Sequence, residues 1–222
     1  MSQIILDFGS GNTCRNSVDY AKKMINALDR IDNKKHEVII KWQLFENPSD
    51  SGGGSLAGKD IRLFHDVFYA AYFYANSLGY KCTSSVFDEV SLAFLLQFDV
   101  PFIKIACRPK LYWLIGAVPR EIPVYVSIDV KCHDAAYNNP TKFYRLYDAV
   151  QLRCVPKYPA EKEEYRYQGL HFENYSDHTS GLDLWYEQQP AIWEKHFCLE
   201  SDLTNPDSGP FAVTPEQLKE IL

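Results

Sequence analysis

No stretch of this chain approaches the roughly eighteen consecutive apolar residues that a membrane-spanning helix needs. The N-terminus has no basic segment followed by an apolar run and a small-residue cleavage site, so no leader is expected and the cytoplasm is the expected compartment. Basic residues are not gathered into a surface: 23 lysines and arginines face 29 acidic residues, for a net charge of −6. Nucleic acid and membrane are therefore not expected partners, since displacing phosphate counterions needs clustered cations. The six cysteines, at 14, 82, 107, 132, 154 and 198, form no C-x-x-C pair, which argues for reduced thiols over a disulfide framework.

What remains is an ordinary globular composition. With 222 residues, 46% of them hydrophobic, residues 1–222 can bury one core as a single domain. Strand-like and helix-like segments alternate along the chain. Ile4–Phe8, Val38–Trp42, Cys82–Val86, Phe102–Ala106, Val124–Ile128, Val150–Val155, Leu170–Tyr175 and Ala191–Phe197 read as strands. Val18, Ala21, Ile25 and Leu28 recur at helical spacing, and a second helix is expected from about Lys59 to Leu78, after a Gly-rich loop over 47–58 and closed by Gly79. Thr214-Pro215-Glu216-Gln217 is a capping box with proline at the first helical position. Eight strands with helical or loop crossovers suggest a compact, closed (β/α)8 TIM barrel, with the charged crossover Pro156–Gln168 trimmed to a loop.

In such a barrel the chemistry sits at the C-terminal strand ends. Those ends carry Asp7, Lys41 with Gln43, Ser84-Ser85, Lys104 with Cys107, Ser127, Cys154 through Tyr158, Ser176 with His178, and Glu194 with His196. Two lysines and several hydroxyls around one mouth suit a phosphate or carboxylate ligand. The alternative, that Lys41 and Lys104 are solvated loop residues, fits poorly with their place inside apolar strands, where an unpaired ammonium is costly. His178 and His196 end neighbouring strands, which lie about 5 Å apart, so both could reach one metal ion; ordinary surface or satisfied core histidines are the other reading. The aromatic run Phe64–Tyr74 reads as helix packing or as a homodimer face.

These segments resemble the N-acetylneuraminate (sialic acid) synthases over most of the chain. Ile40-Lys41-Trp42-Gln43 is similar to that family's second-strand Lys-Phe-Gln motif, Ser84–Asp88 to its Ser-Thr-Pro-Phe segment, and Pro101–Ala106 to its Pro-Ala-Tyr-Lys-Ile stretch. Tyr175–Thr179, Glu194–Phe197 and Asp207 match the terminal signature in content and spacing. The resemblance implies a (β/α)8 barrel that binds phosphoenolpyruvate and a divalent metal, Mn2+ or Mg2+, and condenses the enolpyruvate with an open-chain aldose or amino sugar. It also implies roles: His178 and His196 as metal ligands; Lys41, Gln43, Ser85, Lys104, Ser127, Tyr158 and Ser176 as substrate-binding residues; Glu194 and Asp207 as catalytic residues.

The chain also departs from the family pattern. Cys107-Arg108-Pro109-Lys110 stands where the family has Ser-Gly-Glu or similar, and Arg153-Cys154-Val155-Pro156 where it reads His-Cys-Thr/Val-Asn/Ser. Asp7-Phe8-Gly9 and Asn12-Thr13 stand for an Ala-Glu-x-Gly start and an Asn-His pair. The family's small C-terminal antifreeze-like domain is not expected after the barrel. These changes predict a wider, more basic acceptor side built on Arg108 and Lys110. They leave three readings: a minimal synthase with an altered acceptor, a catalytically silent barrel used for binding or assembly, and another metal-dependent lyase or aldolase on the same scaffold.

Overall fold

The computed structural model describes residues 1–47, 60–131, 148–166, 172–203 and 205–222. Eight parallel strands close a barrel in chain order: β1 (Gln3–Asp7), β2 (Glu37–Leu44), β3 (Lys81–Val86), β4 (Ile103–Ile105), β5 (Val124–Asp129), β6 (Val150–Cys154), β7 (Asn174–Asp177) and β8 (Ile192–His196), which returns to pair with β1. Outside the strands run α1 (Val18–Asp29), α2 (His65–Ser77), α3 (Glu89–Leu95), α4 (Leu114–Ala117), α5 (Asp183–Gln188) and α6 (Pro215–Leu218). The expected (β/α)8 architecture is therefore the observed one.

Two-residue alternation sorts the strand side chains into two cores. Outward-facing Ile4, Leu6, Ile40, Trp42, Val126 and Trp193 pack beneath the helices in the main cluster. Inward-facing Ile5, Ile39, Phe102 and Leu152, with Tyr125, Val150 and Ile192 against them, plug the barrel interior. That plug fixes the site. Two residues beyond these positions come Asp7, Lys41, Lys104, Cys154, Ser127 and Glu194, which the same alternation turns inward at the C-terminal mouth.

Helix ends follow local chemistry. The Ser17 side chain accepts from the Tyr20 amide to start α1. Gly79 does close α2: its φ of +86° turns the chain left-handed, and the Tyr80 and Gly79 amides donate to the Ala75 and Asn76 carbonyls. The start of that helix differs from expectation. Asn16 accepts from the Phe64 amide and donates to the Arg62 carbonyl, holding 62–64 out of the helix with Ile61 and Leu63 buried, so α2 begins at His65; Lys59 lies outside the described residues.

The seventh strand also lies later than Leu170–Tyr175. Its polar end stays in the ladder because Asp177 accepts from Trp193 Nε1 at 3.0 Å and from the Thr179 amide at 2.8 Å, and pairs with Lys195 at 3.0 Å. Residues 167–171 lie outside the described set. Among its described residues the shortened crossover before β7 carries a 3-10 turn, Lys162–Tyr165, closed by a Glu161–Glu164 capping box. On α2, Val67, Phe68, Ala71 and Tyr72 face the core, while Tyr69 and Phe73 remain exposed.

Candidate active site at the barrel mouth

The C-terminal mouth opens into a cavity of about 690 Å3 that contains Lys41, Gln43, Ser85, Lys104, Ser127, Tyr158, Ser176, His178, Glu194, His196 and Asp207. Every site residue expected from the sequence thus lines one space. Asp7, Ser10, Arg108 and Phe211 join them.

The floor is a buried ladder of charge. Lys41 Nζ lies 2.7 Å from Asp7 Oδ2 and 3.1 Å from Glu194 Oε1, and donates to Ser85 Oγ at 2.9 Å. Lys104 Nζ lies 3.2 Å from Glu194 Oε2 and donates to Ser127 Oγ at 2.7 Å and to the Ile105 carbonyl at 3.2 Å. Glu194 bridges the two ammonium groups. Burial alone would raise its pKa, but Lys104 and Lys41 outweigh that and hold the carboxyl well below the ordinary range. Burial likewise opposes the charges on Lys41 and Asp7, and their attraction overrides it, raising the first and lowering the second. Two lysines against two carboxylates make this floor close to neutral as it stands.

The two imidazoles form one wall. His178 Nδ1 lies 2.7 Å from the Val155 carbonyl, which can only accept, so Nδ1 carries the hydrogen and Nε2 presents its lone pair. Burial, reinforced by neighbouring His196, pushes His178 down to about 3. The His196 ring centre is 6.0 Å from that of His178; its Nδ1 is buried and, among the described residues, has no hydrogen-bond partner. Tyr158, whose bond to Pro159 is cis, lays its ring 4.1 Å from His178 and 5.8 Å from His196. An anchored, neutral imidazole and one whose Nε2 lies 3.8 Å from Asp7 Oδ2 form a donor pair that fits a divalent cation. Among the described residues no group of three or more His, Cys, Asp or Glu could hold a metal, so solvent or substrate oxygens would have to complete the coordination.

Asp207 ties the site together. Its Oδ2 accepts from the Ser10 amide at 2.9 Å and from the Ser10 hydroxyl at 2.7 Å, while Oδ1 accepts from Gln43 Nε2 at 3.1 Å; that same nitrogen also donates to Asp7 at 3.0 Å. Gly9, at φ +74°, permits this approach, because a Cβ there would come within 2.7 Å of Asp207 Cβ and would collide with the Thr13 hydroxyl. On the acceptor side only Arg108 of the two expected cations lines the cavity. Lys110 lies exposed on the 3-10 turn Pro109–Leu111 and is not among the residues that line the cavity.

Asp7 was visible in the sequence as a strand end but carried no assigned role. Its signal is alternation from Ile5. Ser10, in a loop without periodicity, had none.

Comparison with known proteins bears on this arrangement. Residues 55–222 match the NeuB family. The chain belongs to that family. A relative, N,N'-diacetyllegionaminic acid synthase of Legionella pneumophila, is 27% identical over 183 residues, covering 74% of this NeuB chain and 51% of the Legionella protein. Thus the NeuB chain spans about half the length of that relative. Mouse N-acetylneuraminate-9-phosphate synthase is 22% identical over 250 residues, covering 99% of the chain and 68% of the mouse protein. The crystal structure of the sialic acid synthetase of Leptospira borgpetersenii in complex with citrate superposes with a TM-score of 0.70 at 18% identity, covering 98% of this chain and 80% of the Leptospira one. No helix among the described residues is long and apolar enough to cross a membrane.

Proposed function

We propose that this NeuB-family barrel condenses phosphoenolpyruvate with the aldehyde of an open-chain aldose or amino sugar, giving a sialic-acid-like 2-keto acid and inorganic phosphate. The observation that carries the reading is the buried Lys41–Glu194–Lys104 ladder with Ser85 and Ser127, set in the same cavity as two imidazoles. Preformed ammonium and hydroxyl donors suit a small ligand with phosphate and carboxylate at its two ends. C3 of the enolpyruvate forms a bond to the aldehyde carbon as the C=O π pair moves onto the aldehyde oxygen; water adds at C2, one of its protons going to that oxygen and the other to phosphate, which leaves as its bond to the C2 oxygen breaks.

In this reading Lys41 and Lys104 grip the anionic ends, with Ser85, Ser127 and Ser176 orienting them. Glu194, 5% exposed, holds both lysines in register at the floor. Gln43 and Asp207 fix the loop that carries Ser10 beside the acceptor. Tyr158 covers the imidazoles. His178 and His196 would hold a Mn2+ or Mg2+ ion, which when bound supplies Lewis-acid polarisation of the aldehyde.

Titration calorimetry tests the anion half. Phosphoenolpyruvate should bind the wild type in manganese, and Lys104→Met should lose about 2–5 kcal/mol of that binding, since a desolvated partner charge is left behind. Unchanged affinity in Lys104→Met would rule out this use of the ladder.

A further inference from the structure

Among the described residues Lys41, Lys104 and Lys195 are buried, and the anion floor uses the first two. Lys195 is left over. It sits fully buried on β8 between Glu194 and His196, and alternation turns its side chain to the opposite face of the sheet, where Trp193 packs into the main core. Asp177, equally buried, lies opposite it on β7; both residues border the cavity, yet the proposed condensation uses neither charge.

The register between β7 and β8 ends at Asp177 and Lys195, so His178 lies one residue beyond the ladder. Side chains take over there. Lys195 Nζ pairs with Asp177 Oδ2 at 3.0 Å and reaches past it to donate to the Thr179 carbonyl at 2.6 Å. Asp177 Oδ1 accepts from the Thr179 amide at 2.8 Å and from its hydroxyl at 2.7 Å, while Oδ2 accepts from Trp193 Nε1 at 3.0 Å. The residues on both sides of His178 are thereby tied to the residue that precedes His196.

We infer that Lys195 and Asp177 are positioning residues, a clamp that sets the spacing of His178 and His196, 6.0 Å between ring centres, for a divalent cation. The inference rests on the proposed reading of these imidazoles as the cation's ligands. The Val155 carbonyl orients the His178 ring, and the clamp fixes the backbone that carries it. A buried ion pair adds little net stability over apolar residues of like volume, so stability alone does not account for this one.

Manganese affinity of the full chain, read without substrate from the free-ion signal in electron paramagnetic resonance, tests the clamp. Lys195→Met and the charge-free Lys195→Met/Asp177→Asn should each bind manganese about 10–100-fold more weakly than wild type, the usual effect of losing a group that orients a metal ligand. Gly79→Ala, which strains the end of α2 far from the clamp in sequence, should keep wild-type affinity and so separates positioning from general loss of stability. Hydrogen exchange needs no variant: residues 174–180 of the wild type should be protected without metal and unchanged by manganese. Wild-type affinity in either folded clamp variant, an equal loss in Gly79→Ala, or protection of 174–180 that manganese alone creates, would overturn the inference. Equal manganese binding by wild type and His178→Ala/His196→Ala would instead remove the imidazole reading, and the clamp's role with it.

Discussion

Replacing Glu194 by glutamine keeps the shape of the site and removes one charge from its centre. Glu194 is the link between Lys41, at 3.1 Å, and Lys104, at 3.2 Å. Lys41 keeps Asp7 at 2.7 Å, but Lys104 loses its one ion-pair partner among the described residues, keeping only Ser127 and the Ile105 carbonyl. A buried charge stripped of its counterion costs about 3–5 kcal/mol. For a chain of this size that corresponds to a melting temperature lower by about 6–20 °C. Removing both members together, in Lys104→Met/Glu194→Gln, leaves no orphan charge. The double variant should therefore be more stable than the sum of the two single losses predicts. Thermal and urea melts at neutral pH without ligand measure all three. A Glu194→Gln protein within about 1 kcal/mol of wild type, or strict additivity in the cycle, would refute the reasoning. The same coupling sets a pH dependence. The Glu194 carboxyl is depressed in the fold, so its contribution is present above the unfolded value of about 4.3 and is lost as pH falls through the folded value.

Further outcomes follow from the imidazole wall and the helix ends. In metal-free protein His178 should stay neutral as pH drops from 7 to 5, because its folded value is near 3; proton NMR of its ring should show no midpoint near 6.5. That depression stabilises the fold above pH about 6.5, and the contribution should fade as pH falls toward 3. Manganese retained after dialysis should fall in His178→Ala/His196→Ala, and equal metal in both proteins by elemental analysis would remove these residues as ligands. Gly79→Ala should cost about 1 kcal/mol in urea melts despite open space for its Cβ, since the cost lies in the +86° φ.

Much of this arrangement was legible in the sequence because the barrel repeats one rule. Each strand buries alternate side chains, so apolar runs at Ile5, Ile39, Phe102 and Leu152 announce which residue two places later faces the mouth. Lys41, Lys104, Glu194 and the two histidines were placed by their positions at expected strand ends, which this alternation accounts for. What was not legible depends on partners distant in the chain. Asn16 decides where α2 begins by holding 62–64 out of the helix, and no helical periodicity records that. Asp177 remains in a strand only because Trp193 and Lys195 satisfy it from β8. Lys110 shows the converse: of two cations close in sequence, Arg108 lines the cavity and Lys110, on a short 3-10 turn, does not.

The central claim is the joining of phosphoenolpyruvate to a sugar aldehyde at this mouth. It is tested most directly by following inorganic phosphate and the keto acid together, with manganese and a panel of neutral and phosphorylated aldoses and amino sugars. The account predicts phosphate release that requires the aldehyde, is matched mole for mole by a new 2-keto acid in the mass spectrum, and is lost in Lys104→Met. Protein that binds phosphoenolpyruvate yet releases no phosphate with any aldehyde would contradict it, leaving a binding barrel without the condensation.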